Sequence, residues 1–246
     1  AGLPAEFSAA IATFPSMETA GKAVFEIMRG GLNPAALELL GPNCIELMNK
    51  EERLGLNVSP TLFMEFHGAT TSQLAEVLEI SAEICKAEGC SQFQPGLGRS
   101  ERDRIFKARH ALGEMIPRNH PECGIMILDV AVPITTYTAL ITGIREELDG
   151  TDLKSYYISH AGNGNVHLNI LGKKGDQNQW DLIKEISQRL VSKSIELGGT
   201  ATGEHGIGLG KRKYMAAEHG NSLQWMKRVK SLFDPNGILN PGKIFP

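Results

Sequence analysis

The sequence carries no surplus of either charge: 25 Lys and Arg stand against 28 Asp and Glu, a formal net charge of −3. So near a balance there is no basic field to draw in nucleic acid or an anionic membrane. The one short basic run, Lys211-Arg212-Lys213, reads as a solvated helix start. No apolar stretch approaches the ~20 residues of a membrane-spanning helix, and no charged-then-apolar leader opens the chain. Cysteine is scarce. Cys44, Cys85, Cys90 and Cys123 form no C-x-x-C pair and no regular spacing, which argues against a disulfide framework and for a reducing compartment, read here as the cytoplasm. Peripheral attachment to a membrane stays open. The opening residues Ala1-Gly-Leu-Pro4 include no Met, which suggests a piece of a longer protein.

What is present is an ordinary globular composition, with 41% hydrophobic and 22% charged residues over 246 positions. That length accommodates one large domain, or one domain with a smaller appendage. The first clear element follows Phe14-Pro15-Ser16: Ser16 is placed to cap a helix whose apolar positions are Ala20, Ala23, Val24, Ile27 and Met28. Residues 35–40 read as a strand, 44–50 as a brief helix, 61–66 as a strand, the Leu74 to Cys85 stretch as a long helix, and 91–94 as a short strand. The rhythm then repeats. Ser100 caps a helix containing Arg109, 125–132 is a strand, 135–148 a helix, 154–160 and 166–171 a hairpin, and 180–197 a long amphipathic helix. Two such rounds predict an α+β fold, an antiparallel or mixed sheet of ferredoxin-like repeats covered by helices on one face, followed by a C-terminal helical segment. We divide the chain into an α+β substrate-binding or cap domain at 1–197 and a glycine-rich loop with a helical tail at 198–246. The tail holds Ile238, Leu239, Ile244 and Phe245 among turn residues, as a terminus does that packs against something.

The hairpin is the most informative segment. With Gly162-Asn-Gly-Asn165 as a four-residue loop, His160 lies opposite His167 on one face, with Cβ atoms ~4.5–5.5 Å apart. Two imidazoles so placed can chelate one divalent ion, and Asn169 projects from the same face. The bland alternative is a pair of polar residues on a solvated hairpin. A second constellation is Thr202-Gly-Glu204-His205-Gly206-Ile-Gly208. Glu204 is suited to complete a His-His-Glu set for zinc or manganese, leaving His205 as a general base; here the alternative is a glycine hinge with a surface Glu-His pair. The loop fails both phosphate-binding glycine patterns. Arg109 is a candidate for bidentate grip of a carboxylate, although most helix arginines are solvated. Asp129 is unusual in the apolar strand Ile127-Leu-Asp129-Val-Ala-Val-Pro133: it orients a neighbouring side chain or a turn, or sits on the exposed face.

These segments resemble a known family. His160-Ala-Gly-Asn-Gly-Asn-Val-His167, Thr202-Gly-Glu-His-Gly-Ile-Gly208 and Leu232-Phe-Asp-Pro-Asn-Gly-Ile-Leu-Asn-Pro-Gly-Lys243 are similar to three signatures of the FAD-linked oxidase C-terminal domain. Glycolate oxidase flavin subunits, D-lactate dehydrogenases and D-2-hydroxyglutarate dehydrogenases share that domain within the vanillyl-alcohol-oxidase superfamily. The resemblance implies an FAD-dependent dehydrogenase or oxidase of D-2-hydroxy acids. In it His160, His167 and Glu204 hold zinc or manganese, His205 abstracts the hydroxyl proton, and Asn169 lines the substrate site. Arg109 grips the substrate carboxylate, and Asn240 lies near the flavin. The implied partners are a small 2-hydroxy acid, the family's N-terminal FAD domain, which this chain lacks, and an electron acceptor of unspecified identity; a homodimer stays open. By the same resemblance this chain alone is inactive.

There are two departures from the family pattern. Phe106 replaces the usual Trp three residues before Arg109, and Ile125 to Leu128 contains no Lys, so the grip on the carboxylate differs. Two other classes use the same residues: a metal-dependent hydrolase, in which His205 activates water, and a non-catalytic α+β ligand-binding or dimerisation module.

Overall fold

A computed structural model describes residues 4–96 and 99–245. Among these residues seven strands form one antiparallel sheet. They are β1 (Glu6–Thr13), β2 (Ala36–Leu40), β3 (Thr61–Gly68), β4 (Gln92–Pro95), β5 (Cys123–Ala131), β6 (Ser155–His160) and β7 (Asn165–Lys173), in spatial order β4-β1-β3-β2-β6-β7-β5. The helices are α1 (Met17–Arg29), α2 (Pro42–Glu52), α3 (Thr71–Ala87), α4 (Arg99–Asn119), α5 (Tyr137–Leu148), α6 (Gln177–Glu196), α7 (Met215–His219) and α8 (Ser222–Phe233).

The order contains the two expected ferredoxin-like rounds. The first is β4-β1-β3-β2. The second is β6-β7-β5, and its fourth strand is reduced to one bridge between Ala131 and Thr200. The rounds meet where β2 pairs with β6. Local chemistry sets the element ends as read from the sequence. Ser16 caps α1 by accepting from the Thr19 N–H at 3.2 Å, and Thr19 Oγ1 accepts in return from the Ser16 N–H, a reciprocal capping box. Ser100 falls inside the first turn of α4, which is already helical at Arg99.

Strand β1 was not foreseen from the sequence. Its core, Ser8-Ala-Ala-Ile-Ala12, has low strand propensity, yet Ala9, Ala10 and Ala12 are at most 1% exposed between two helical layers. Small side chains let the backbone lie close beneath helices, and tertiary packing overrides propensity here. The layering also differs from the expected single helical face. Helices α1, α3, α5 and α6 share one core with Leu39, Leu62, Met64, Leu168 and Ile170. On the opposite face, α2 and α4 bury Leu40, Phe63, Tyr156 and Ile158. This second layer reaches only the start of β5, at Cys123 and Ile125; Ile127 is 51% exposed, and the face on which His160, His167 and Asn169 stand is left open beyond it.

The hairpin register corrects the expected one. The loop is Ala161 to Gly164, so His160 pairs with Asn165 and His167 with Ile158. Gly164 causes the shift. It takes φ 68°, its N–H bonds to Ala161 O, and a Cβ there would meet Val132 O at 2.0 Å. Only glycine fits that approach, so the turn closes one residue earlier and Asn165 becomes a strand residue. His160 and His167 still share a face, as diagonal neighbours with ring centroids 5.4 Å apart.

Candidate functional site

Asp129 is the anchor of the site. It lies on β5 directly across from His167 and is fully buried. A carboxylate in such a place needs several donors, and it has them. Oδ2 accepts from Thr202 Oγ1 (2.9 Å) and from the backbone N–H of Glu204 (3.1 Å) and His205 (2.9 Å), while Oδ1 accepts from Asn165 Nδ2 (2.9 Å). Burial alone would raise its pKa. The N–H of His205, the Asn165 amide, the N–H of Glu204 and the Thr202 hydroxyl outweigh that and hold it below the usual carboxylate range. Lys211 Nζ donates to the Asp129 backbone O at 2.7 Å. Lys211 is therefore an anchor of the loop and not part of a solvated basic run. Gly203 lies so close beneath these groups that a Cβ would sit 1.7 Å from Asn165 Nδ2.

This arrangement delivers Glu204 over the open face. Its Oε1 lies 3.1 Å from His167 Nε2 and 3.7 Å from His160 Nε2. Ligand atoms of His160, His167 and Glu204 all fall within 4.8 Å of one another, a spacing that suits a single divalent ion bound by two imidazoles and a carboxylate. Asp129, His167 and His205 also cluster within that distance, but the Asp129 oxygens are already taken by donors. Three buried side-chain atoms on the same face of β7, Asn165 Oδ1, His167 Nδ1 and Asn169 Oδ1, have no hydrogen-bond partner among the described residues. Such atoms mark a place where a ligand, an ion or water completes the site.

His205 stacks on His167 with centroids 4.8 Å apart, and its Nε2 is 4.0 Å from Glu204 Oε1. The two strand histidines differ. A hydrogen bond to Glu38 raises the pKa of His160 against the effect of burial, whereas burial lowers that of His167. Arg109 reaches the same face from α4, but it is engaged: Nε and Nη2 donate to Glu38 Oε2 at 2.9 and 2.5 Å, and Nη2 lies 3.2 Å from His160 Nδ1. Asn240 is exposed at φ 46°, and among the described residues no hydrogen bond or ion pair joins it to these groups. Its segment touches the glycine-rich loop through Ile244 N–H to Gly208 O. Sequence reading missed Glu38 altogether. The only signal was the one that flagged Asp129, a carboxylate inside an apolar strand.

Beyond the site, α8 buries none of its residues, and Trp225, Val229, Leu232, Phe233, Ile238 and Leu239 are 54–80% exposed. No described helix is long and apolar enough to cross a membrane, and all four cysteines are free.

The family described as FAD linked oxidases, C-terminal domain, matches residues 3–244. A probable mitochondrial D-lactate dehydrogenase of Danio rerio is 32% identical over 244 residues, which is 99% of this chain and 49% of that protein. The mitochondrial D-lactate dehydrogenase [cytochrome] of Arabidopsis thaliana is 32% identical over 99% of this chain and 43% of its own length. Glycolate oxidase subunit GlcD of Escherichia coli is 29% identical over 96% and 47%. The chain thus spans about half, or less, of the length of these relatives. Those two dehydrogenases are mitochondrial by name, so they lend no support to the cytoplasmic reading. Among solved structures, 4-ethylphenol oxidase from Gulosibacter chungangensis shares the fold at TM-score 0.69 and 18% identity, over 99% of this chain and 55% of that one. p-Cresol methylhydroxylase does so at 0.68 and 13%, over 98% and 53%. With two ferredoxin-like rounds in one antiparallel sheet and the family's match across nearly its whole length, the chain belongs to the FAD linked oxidases, C-terminal domain.

Proposed function

We propose that this chain is the substrate- and metal-binding part of an FAD-dependent enzyme that oxidises a D-2-hydroxy acid of the lactate, glycolate or 2-hydroxyglutarate type to the 2-keto acid. The observation that carries the reading is the meeting of His160 and His167 with Glu204, which comes from a distant turn, beside the imidazole of His205 stacked on His167. His160 Nε2, His167 Nε2 and a Glu204 oxygen would hold zinc or manganese, which supplies Lewis acidity toward the substrate hydroxyl and carboxylate oxygens. FAD, bound outside this chain, would supply the two-electron acceptor for the C2 hydrogen.

The chain's own residues bind, orient and deprotonate. Arg109 draws the substrate carboxylate to the rim of the open face; with Nε and Nη2 on Glu38, its guanidinium is held in one orientation before substrate arrives. Asn169, with Oδ1 buried and unpaired, offers the substrate an acceptor. His205 Nε2 receives the hydroxyl proton, and the loop fastened to Asp129 fixes the His205 backbone. Residues 198–246 form the surface that packs on the flavin-binding portion, which covers the apolar side chains of α8 and the tail. Asn240, on that tail, would face the cofactor.

The test is anaerobic flavin reduction by D-lactate, glycolate and D-2-hydroxyglutarate in protein that carries this chain together with its flavin-binding portion. His205→Ala is expected to slow reduction by ~100-fold or more. Near-normal reduction in that variant would overturn the assignment of His205. His160→Ala is expected to lose the metal by elemental analysis.

A further inference from the structure

Glu38 stands in the middle of β2 between Leu37 and Leu39, directly across from His160, and is 8% exposed. Burying a carboxylate in an apolar strand costs several kcal/mol unless both oxygens are paired. Here each oxygen serves a different residue. Oε1 accepts from His160 Nδ1 at 2.6 Å, and Oε2 accepts from Arg109 Nε and Nη2 at 2.9 and 2.5 Å. The two residues come from β6 and α4; Glu38 bridges them, and Arg109 Nη2 also lies 3.2 Å from His160 Nδ1 and 3.4 Å from its Nε2.

We propose that Glu38 is a positioning residue that sets both sides of the site, fixing the tautomer and ring orientation of His160 and clamping the Arg109 guanidinium. The proposal rests on the metal-binding reading of His160, His167 and Glu204. With its proton on Nδ1 and donated to Glu38, His160 presents the lone pair of Nε2 on the side where Glu204 Oε1 lies 3.7 Å away. Imidazoles that ligate metals are commonly held through the other ring nitrogen in this way. His167 is a useful contrast: its Nδ1 is 3.6 Å from Asp129 Oδ1 and makes no hydrogen bond, so only His160 has a tight carboxylate behind it. The second role follows from the fork of Arg109. A guanidinium with two N–H groups on one carboxylate cannot rotate freely, so its remaining edge keeps one direction.

An amide at position 38 separates the roles. Glutamine offers one acceptor oxygen where glutamate offers two, and both neighbours are donors. Arg109 has more donors and takes the oxygen. The amide NH₂ then meets His160 Nδ1, which must accept, and the imidazole proton moves to Nε2, the atom that faces Glu204.

The experiment titrates the chain with MnCl₂ and with ZnCl₂ by calorimetry, and reads the His160 tautomer by long-range ¹⁵N–¹H NMR without metal. Wild type, Glu38→Gln, Glu38→Asp and His160→Ala are compared, with circular dichroism as the control for folding. We expect wild-type His160 in the Nδ1–H form, and Glu38→Gln in the Nε2–H form with metal affinity 10–100-fold weaker. Glu38→Asp, which keeps two acceptors, recovers part of the loss. Wild-type His160 in the Nε2–H form, or equal metal affinity in wild type and Glu38→Gln, overturns the role given to Glu38. Wild type that binds neither ion overturns the metal reading instead, and the tautomer spectrum still decides whether Glu38 orients the ring.

Discussion

Replacing Asp129 by Asn tests whether a single buried carboxylate holds the loop that carries Glu204 and His205. In the wild type one oxygen receives three donors, from Thr202, Glu204 and His205, and the other receives the Asn165 amide. An asparagine can turn its oxygen to the loop, but its own NH₂ then faces Asn165 Nδ2 across a 2.9 Å gap built for donor and acceptor. Hydrogen bonds to a charged group contribute ~1.5–3 kcal/mol each when buried. Glu204 and His205 reach solvent, so their N–H groups recover water and the lower end applies. A neutral oxygen also keeps part of each bond. The expected net cost is therefore about 2–4 kcal/mol, a large share of the ~5–15 kcal/mol that keeps a domain folded.

Urea unfolding reads that loss, and hydrogen exchange locates it: the Glu204 and His205 amides should lose protection while Leu168, deep in the sheet, keeps its own. The pH dependence follows with the same sign. A carboxylate whose pKa is depressed in the folded state stabilises above the unfolded value near ~4 and loses that contribution as pH falls toward its depressed folded value. Wild type should weaken through that acid range, and Asp129→Asn should have a flatter acid limb. Unchanged urea midpoints and unchanged exchange at Glu204 and His205 would refute the anchoring role.

Other positions have consequences of their own. Gly203→Ala forces a Cβ to within 1.7 Å of Asn165 Nδ2; overpacking of this kind costs ~1–3 kcal/mol, and the urea midpoint should fall, whereas Gly113→Ala, where a Cβ meets nothing within 4 Å, should not lower it. Burial pushes the thiols of Cys44 and Cys85 up to about 12, so an aromatic disulfide reagent at pH 8 should leave them unmodified until urea unfolds the chain; rapid native labelling of either contradicts their placement. Leu232 and Phe233 are each 80% exposed, so changing both to Ser should alter the unfolding free energy by no more than ~0.5 kcal/mol each while reducing self-association in sedimentation. Leu39→Ala, at a site with no exposure, should cost ~2–5 kcal/mol.

What could be read from the sequence was whatever is local. The cap at Ser16, the strand-turn-strand around His160 and His167, and the glycines that free the loop before Glu204 all depend on residues within a few positions of one another. The position of the hairpin turn was misjudged because Gly164 is dictated by contact with Val132, a residue just past the end of β5. Glu38 and Asp129 looked alike in the sequence, each a carboxylate in an apolar strand. Their roles depend on which strands become neighbours, since Glu38 faces His160 and Asp129 faces His167 only through pairings between β2 and β6 and between β5 and β7. Strand β1 was hidden for the opposite reason: its alanines carry almost no pattern, and burial between two layers makes them a strand.

The difference between the two ferredoxin-like rounds explains why the candidate site belongs to the second. In the first, the chain returns after α3 and lays β4 along β1, from Gln92 opposite Thr13 to Pro95 opposite Ala10. In the second, it returns after α6 to the corresponding place, with Thr200 opposite Ala131 at the end of β5. It then leaves the sheet after that one rung. The next ladder position on β5 facing it is Asp129, whose carboxylate takes the Thr202 hydroxyl and the N–H groups of Glu204 and His205; of these the Glu204 N–H is one that a continued strand would have given to the β5 backbone. A side chain has replaced the ladder, and the released segment turns over the open face beside His167. Removing every side-chain acceptor, as Asp129→Val does and Asp129→Asn does not, should therefore do more than loosen the loop: it should free the residues after Thr200 to extend along β5 as β4 does along β1. New amide protection beyond Thr202 in Asp129→Val would be the sign of it, together with loss of metal binding at His160 and His167.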